Sequence, residues 1–176
     1  EKTMTANMKR FLKTGLILTA MVLAGGTLFA ATSGTIVLQG TVPVILEVIV
    51  TTDPAAGSLD LSQNVTDVLV GTVVERSNKK AGYTVTIDST NAVNAGSNVA
   101  RFESADPANL DTLDFTISYG GVPVALSSGS ATVSDQVVKT AAAGNSNEVR
   151  ISYDGTTAFM YEDAYTDTLT FTITAK

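Results

Sequence analysis

Apolar and polar residues alternate along several short stretches of the chain, with the period of two that is typical of β-strands. Residues 83–88 read Tyr-Thr-Val-Thr-Ile-Asp, and similar alternation returns at 113–119, 149–153 and 169–174. Thr and Val are β-branched and favour strands. Each stretch therefore has one apolar and one polar face, as in antiparallel sheets that bury one side and expose the other.

Turn-forming residues separate these stretches. The pair Gly120-Gly121 predicts a tight hairpin between Tyr119 and Val122. No long stretch has the 3.6-residue apolar period of a helix, and residues 105–110 predict one helical turn at most. About seven to nine short strands joined by such links predict an all-β fold, an immunoglobulin-like antiparallel β-sandwich. The longer links lie at 51–58, 77–82, 91–98 and 141–147.

Residues 1–30 have the order of charge and hydropathy that is typical of a secretory signal peptide. Basic residues follow Met8, residues 15–23 are apolar, and small residues lead to Ala30. The alternative is a membrane anchor, which needs about 20 apolar residues, whereas glycines interrupt this run early. We expect cleavage after Ala30, secretion to the extracellular surface of a bacterium, and no stable membrane span afterwards.

The composition excludes several kinds of chemistry. The chain of 176 residues has no Cys, His or Trp, which rules out disulfides, Cys or His catalysis and Cys/His zinc sites. The predicted leader holds four of the 11 basic and one of the 17 acidic residues, so the remainder carries a net charge of −9. Nucleic-acid binding needs clustered Lys and Arg, so we expect no nucleic-acid partner.

The first segment after the leader is unusually apolar. Sixteen residues from 35 to 50 would form a strand of about 53 Å, far longer than usual. Pro43 interrupts the run, which predicts two strands, 35–42 and 44–51, hinged at that residue. The first either pairs within its own sandwich or completes a neighbour's sheet by strand addition. Its even positions are apolar or glycine, namely Ile36, Leu38, Gly40 and Val42.

The run Gly34-Thr35-Ile36-Val37-Leu38-Gln39-Gly40-Thr41-Val42 resembles the N-terminal donor strand of bacterial fimbrial subunits. Residues 165–173 are similar to the closing strand of pilins and of the spore-coat-U family. The resemblance implies that Ile36, Leu38, Gly40 and Val42 fill the groove of the next subunit, and that a periplasmic chaperone is a further partner. The chain departs from many members of this group in lacking Cys and in having Ala175 at the penultimate position, so the need for a chaperone and usher stays open.

Carboxylates are the remaining candidates for catalysis or metal binding. A glycosidase needs two of them across a cleft, and calcium prefers oxygen ligands, but the spacing here does not match an EF-hand loop. We expect these acids to be solvated loop residues, and we expect no enzyme activity, cofactor or metal site. The candidate acids are Glu162, Asp163, Asp106, Asp111 and Asp114, with Asn109 as a further calcium ligand.

Three tyrosines near the end of the chain, Tyr153, Tyr161 and Tyr165, are candidates for stacking on a sugar. Sugar-binding platforms depend heavily on Trp, which the chain lacks. We expect these tyrosines to lie instead at the edge of the core or to make corner hydrogen bonds.

These observations predict three segments: a leader at 1–30, an N-terminal donor-type strand segment at 31–50, and a β-sandwich domain at 51–176. The predicted function is a structural subunit of a secreted fibre or pilus-like filament that forms a homopolymer by donor-strand exchange. The alternative is a self-contained secreted binding module, such as an adhesin or matrix-associated domain. The two differ in the position of residues 36–42, which pair with a neighbour in the first and within the chain in the second.

Overall fold

The computed structural model describes residues 33–176. The predicted leader, residues 1–30, lies outside the described residues. Two compact units are separated between Thr41 and Val42. The second unit, Val42–Lys176, contains all of the strands and helices described below.

Ten strands and two short helices make up this unit. A 3-10 helix, Pro54–Gly57, follows the first strand, and helix α1, Thr90–Ala95, follows the third. The strands are β1 (Leu46–Thr52), β2 (Asn64–Ser77), β3 (Tyr83–Ser89), β4 (Ala100–Ser104), β5 (Thr112–Tyr119), β6 (Val122–Val124), β7 (Ser130–Gln136), β8 (Asn145–Asp154), β9 (Tyr165–Thr166) and β10 (Leu169–Ala175).

The strands form two antiparallel sheets, which confirms the predicted all-β sandwich. The larger sheet has the order β1-β2-β8-β5-β4-β9, with β6 paired to β5, and the smaller has the order β10-β3-β7. The tight hairpin is confirmed as well, since Tyr119 pairs with Val122 across two glycines. Gly120 and Gly121 have φ of 55° and 80°, the left-handed values that such a two-residue turn requires.

Alternation places the core between the two sheets. On β3, Tyr83, Val85, Ile87 and Ser89 are fully buried and the residues between them are only half-buried. The larger sheet contributes the inward residues of β5 and β8, which alternate in the same way. The core therefore follows from the period-two pattern that the sequence shows.

The helix lies elsewhere than the sequence predicts. Residues 105–110 form bends and turns without a helix. Helix α1 begins at Thr90, one residue before the predicted link 91–98, and ends within that link at Ala95. Ser89 caps its start by accepting a hydrogen bond from the Ala92 amide, and Gly96 ends it with φ of 61°. A serine and a glycine flanking a short polar segment are the usual helix boundaries, and they outweigh the absence of an apolar period. Among residues 33–176, no helix is long and apolar enough to cross a membrane.

The segment around Pro43 also differs in its boundaries. Residues 33–45 lie outside the named strands, so the predicted strand 35–42 is not formed in the single chain. The second predicted strand, 44–51, begins two residues later, at Leu46, and ends at Thr52. Because β1 pairs with β2 along its whole length, it crosses the predicted border between the strand segment and the sandwich domain at residues 50 and 51.

Candidate functional site

Two strand edges lie close together on one side of the sandwich. β1 is an outer strand of the larger sheet and β10 is an outer strand of the smaller one. Among residues 33–176, each of them has a hydrogen-bonded strand partner on one side only, β2 for β1 and β3 for β10. Their outer edges approach each other along a narrow gap between the sheets, where Cα atoms of the two strands come within 8 Å, and neither edge has a further strand partner among residues 33–176.

A cleft of about 260 Å³ opens at this gap. Its walls come from β1, β2 and β10, and its floor is the aromatic centre of the core, where the rings of Phe102 and Phe115 lie 4.6 Å apart. Asp167 is its one ionisable lining residue, and its carboxylate accepts hydrogen bonds from Ser89 and the Asn91 amide. The full lining is Val50, Thr52, Ala56, Leu59, Val70, Gly71, Phe102, Phe115, Val149, Ile151, Asp167, Thr168, Leu169 and Phe171.

The inward side chains of β10 are incompletely buried. Leu169, Phe171 and Ile173 point inward but are only half-buried, although the inward residues of the neighbouring strand β3 are fully buried. The ring of Phe171 packs against that of Tyr119 at 6.0 Å between centroids. On the opposite wall, Val50 of β1 is about half exposed. The apolar core is therefore partly accessible from this side.

The N-terminal arm, defined as residues 33–42, carries the four predicted donor positions. Ile36, Leu38 and Val42 are 85%, 88% and 83% exposed. Apart from Gly40 itself and its two chain neighbours, no described residue has an atom within 4 Å of the position that a Cβ would occupy there. The single chain thus leaves the apolar face of the arm uncovered, and the role of these residues as donor positions stays a prediction.

A buried carboxylate, which sequence reasoning missed, lies between the sheets. Glu75 of β2 is 1% exposed and accepts hydrogen bonds from the hydroxyls of Tyr83 (2.8 Å), Tyr119 (2.5 Å) and Ser134 (2.9 Å). The Asn147 amide donates a further bond at 3.2 Å. Tyr83 and Ser134 belong to the smaller sheet and the other three residues to the larger one. The Glu75 network therefore links the two sheets through charge-assisted hydrogen bonds.

This network changes the acidity of its tyrosines. Burial, followed by the hydrogen bond to Glu75 and the charge of its carboxylate, raises the pKa of Tyr83 to about 12. The same causes in the same order raise the pKa of Tyr119 further. A signal for the site exists in the sequence, because Glu75 falls at an inward position of an alternating strand, between Val73 and Ser77. An acid at such a position needs buried donors.

Three of the five candidate acids hold loops together, whereas Asp114, which we expected in a loop, is an exposed residue of β5. Asp163 accepts hydrogen bonds from Ser104 and Asn109, and these bonds lower the pKa of its carboxyl group. Asp111 accepts from the Tyr161 amide at 2.7 Å, and Asp106 accepts from the amide of Ala108. Within residues 33–176, no group of three or more acidic side chains is arranged to hold a metal ion.

The three candidate tyrosines do not form one platform. Tyr153 is buried and donates to the Asp60 carbonyl, and its ring meets that of Phe102 edge-on. Tyr165 is half-buried and donates to the Tyr161 carbonyl, whereas Tyr161 itself is 73% exposed. The expected structural role is confirmed for Tyr153 and Tyr165.

Comparison with protein-family models gave no match for this chain, and neither did a search of the curated proteins.

Proposed function

We propose that this chain is a structural subunit of a secreted fibre, in which the N-terminal arm of one copy occupies the cleft between β1 and β10 of the next. One observation carries the proposal: the same chain has an uncovered apolar arm and an open apolar cleft. Strand addition pairs the free backbone groups and covers the half-buried side chains, once β1 and β10, whose Cα atoms come within 8 Å of each other, move apart to admit a strand at about 4.8 Å from each.

Burial of the arm supplies the driving force. Burying one large aliphatic side chain contributes about 1.5–3 kcal/mol, and the arm presents Ile36, Leu38 and Val42 on one face. Association also buries the apolar area of the partly exposed cleft residues, above all Leu169 and Phe171. These apolar contacts, together with main-chain hydrogen bonds along the strand, offset the conformational entropy that is lost when the arm becomes ordered.

The charge distribution also favours this arrangement. Residues 33–45 carry no ionisable side chain, although the chain beyond the predicted leader has a net charge of −9. An uncharged arm therefore enters a neighbour without bringing acidic groups together. The one acid that lines the cleft, Asp167, already has hydrogen-bond partners of its own.

The alternation of the arm sets its register. The even positions face the core in the proposed assembly, and shifting the strand by one residue would turn them all to solvent. Gly40 takes an inward position where the backbone of the arm approaches the neighbour closely. A large side chain at this position would keep the arm out of the cleft.

The first experiment compares unboiled and boiled samples of the native secreted protein on an SDS gel. We expect a ladder of bands in the unboiled lane that collapses to one band on boiling, because strand-exchanged contacts persist until the domains unfold. A chain lacking residues 33–42 should run as a monomer in both lanes. A single monomer band for the complete secreted protein would contradict the proposal.

The register is tested by Gly40→Leu against Gly34→Leu. Both glycines lie in the arm with open space around their Cβ positions, and neither has a left-handed φ, so leucine is tolerated locally at both. We expect Gly40→Leu to remove the ladder while the monomer keeps its melting temperature, and Gly34→Leu, outside the inserted positions, to retain the ladder. A normal ladder from Gly40→Leu would refute the register.

A monomeric protein would instead favour the self-contained binding module. Its ligand would then be sought at the loop that follows β8, where Phe159 and Tyr161 are strongly exposed. Exposed aromatic side chains of this kind are frequent in binding surfaces.

A further inference from the structure

The base of the arm is held by one side chain of the domain. Asn78 follows β2 and accepts a hydrogen bond from the Ile45 amide through Oδ1 at 2.8 Å. Its Nδ2 donates to the Pro43 carbonyl at 2.7 Å, and its own amide donates to the Ile45 carbonyl at 3.0 Å. One residue thus satisfies three backbone groups just before β1 begins.

These contacts define the backbone conformation at 43–45. Asn78 is the common partner of three backbone groups, namely the amide and the carbonyl of Ile45 and the carbonyl of Pro43, two residues earlier. Backbone groups that face one side at every second residue are characteristic of an extended strand. The Asn78 side chain therefore continues the β1–β2 ladder past the point where Pro43, which has no amide hydrogen, would weaken it.

An arm that filled its own cleft would need a different conformation at this place. The cleft is lined by Val50 and Thr52 of β1, so the arm would have to reverse direction between Val42 and Leu46 to lie beside that strand. A reversal within residues 43–45 would turn at least one of the three bonded groups away from Asn78. Self-insertion and the Asn78 contacts are therefore in competition.

We infer that Asn78 is a positioning residue that keeps the base of the arm extended and so directs the arm to a second copy of this chain instead of its own cleft. This inference rests on the proposed strand exchange. Breaking the two side-chain hydrogen bonds allows residues 43–45 to reverse direction. One typical hydrogen bond corresponds to about a fivefold change in an equilibrium constant.

The test uses the full secreted chain and its Asn78→Ala variant, with Thr140→Ala as a matched control. The Thr140 hydroxyl bonds the backbone of Ser77, one residue before Asn78, without contacting 43–45. We expect Asn78→Ala to raise the ratio of monomer to polymer on unboiled gels by about fivefold or more, and Thr140→Ala to leave it unchanged. If Asn78→Ala does not fold, Asn78→Asp keeps the acceptor for the Ile45 amide but sets a carboxylate oxygen against the Pro43 carbonyl, and it should shift the ratio in the same direction.

A second readout distinguishes a self-inserted monomer from an open one. A labelled synthetic peptide with the sequence of residues 33–42 is offered to each monomer fraction. Parent monomers should bind it, whereas Asn78→Ala monomers, whose clefts are filled, should not. Unchanged polymer in Asn78→Ala, or extra monomer that still binds the peptide, would overturn the inference alone. A parent chain that neither polymerises nor binds the peptide would overturn the proposed function, and the inference with it.

Discussion

The Glu75 network and the cleft between β1 and β10 are two regions of one sandwich with opposite character. Both involve β2, which contributes Gly71 to the cleft and Glu75 to the network, about 13 Å apart along the strand. At the network, a charge lies fully buried and four side chains satisfy it. At the cleft, half-buried apolar residues line an open gap between two unpaired strand edges.

The difference contrasts a region that holds the single copy together with one that leaves apolar area uncovered. A buried charge with its donors is tolerated only when every partner is in place, so the network contributes to the fold of each single copy. The chain has no disulfide to link its sheets, and hydrogen bonds through Glu75 join them instead. The open cleft, by contrast, leaves apolar area uncovered in a single copy, and that area is available to a further strand.

Removing the buried carboxylate should have the largest effect on the monomer. Glu75→Ala leaves the hydroxyls of Tyr83, Tyr119 and Ser134 buried without their acceptor, and each such group costs about 1–3 kcal/mol. We expect a loss of at least about 3 kcal/mol in the free energy of unfolding, measured with denaturant. The exposed Glu162→Ala serves as control and should change it by less than about 0.5 kcal/mol. A loss below about 1 kcal/mol at Glu75 would mean that the network does not hold the sheets together.

Matched leucines compare the closed and open parts of the core directly. Leu113 of β5 is 5% exposed, whereas Leu169 of β10 lines the cleft and is half-buried. Leu113→Ala should destabilise the monomer by about 2–5 kcal/mol and Leu169→Ala by about half as much, because Leu169 already meets solvent. In the proposed polymer the cost at Leu169 should approach that at Leu113. Equal costs in the monomer would show that the cleft is closed in solution.

High pH should weaken the Glu75 network. It should leave the cleft unchanged, because no tyrosine or lysine lines it. The pKa of Tyr83 rises from 10.0 to about 12 on folding, so its contribution to stability is complete below pH 10 and is lost as the pH rises through 12. We expect the free energy of unfolding to fall over this interval, together with the appearance of tyrosinate absorbance. Tyr83→Phe should flatten the slope, and the exposed Tyr161→Phe should not. A parent slope of zero between pH 10 and 12 would contradict this account.

Much of the fold follows from local pattern. Alternation predicts β3, β5 and β10 to within one residue at each end, and Gly120-Gly121 predicts the hairpin. Strand β8 begins at Asn145, four residues before the predicted stretch 149–153 and within the predicted link 141–147. The capped helix α1 was missed because its signal is carried by its boundary residues and not by a repeating apolar face. Parity shows that the even residues of the arm are apolar or glycine, and the donor role of these positions is what the resemblance to fimbrial subunits implies.

The sequence by itself determined which residues alternate, where the chain turns and that the arm has an apolar face, because these properties depend on neighbours within a few positions. Only the tertiary structure decided which strands become edges. It brought β1 and β10, more than a hundred residues apart, to the same cleft, and it gathered donors from four strands around Glu75. Pairing between distant strands depends on how the whole chain packs, and no local pattern specifies it.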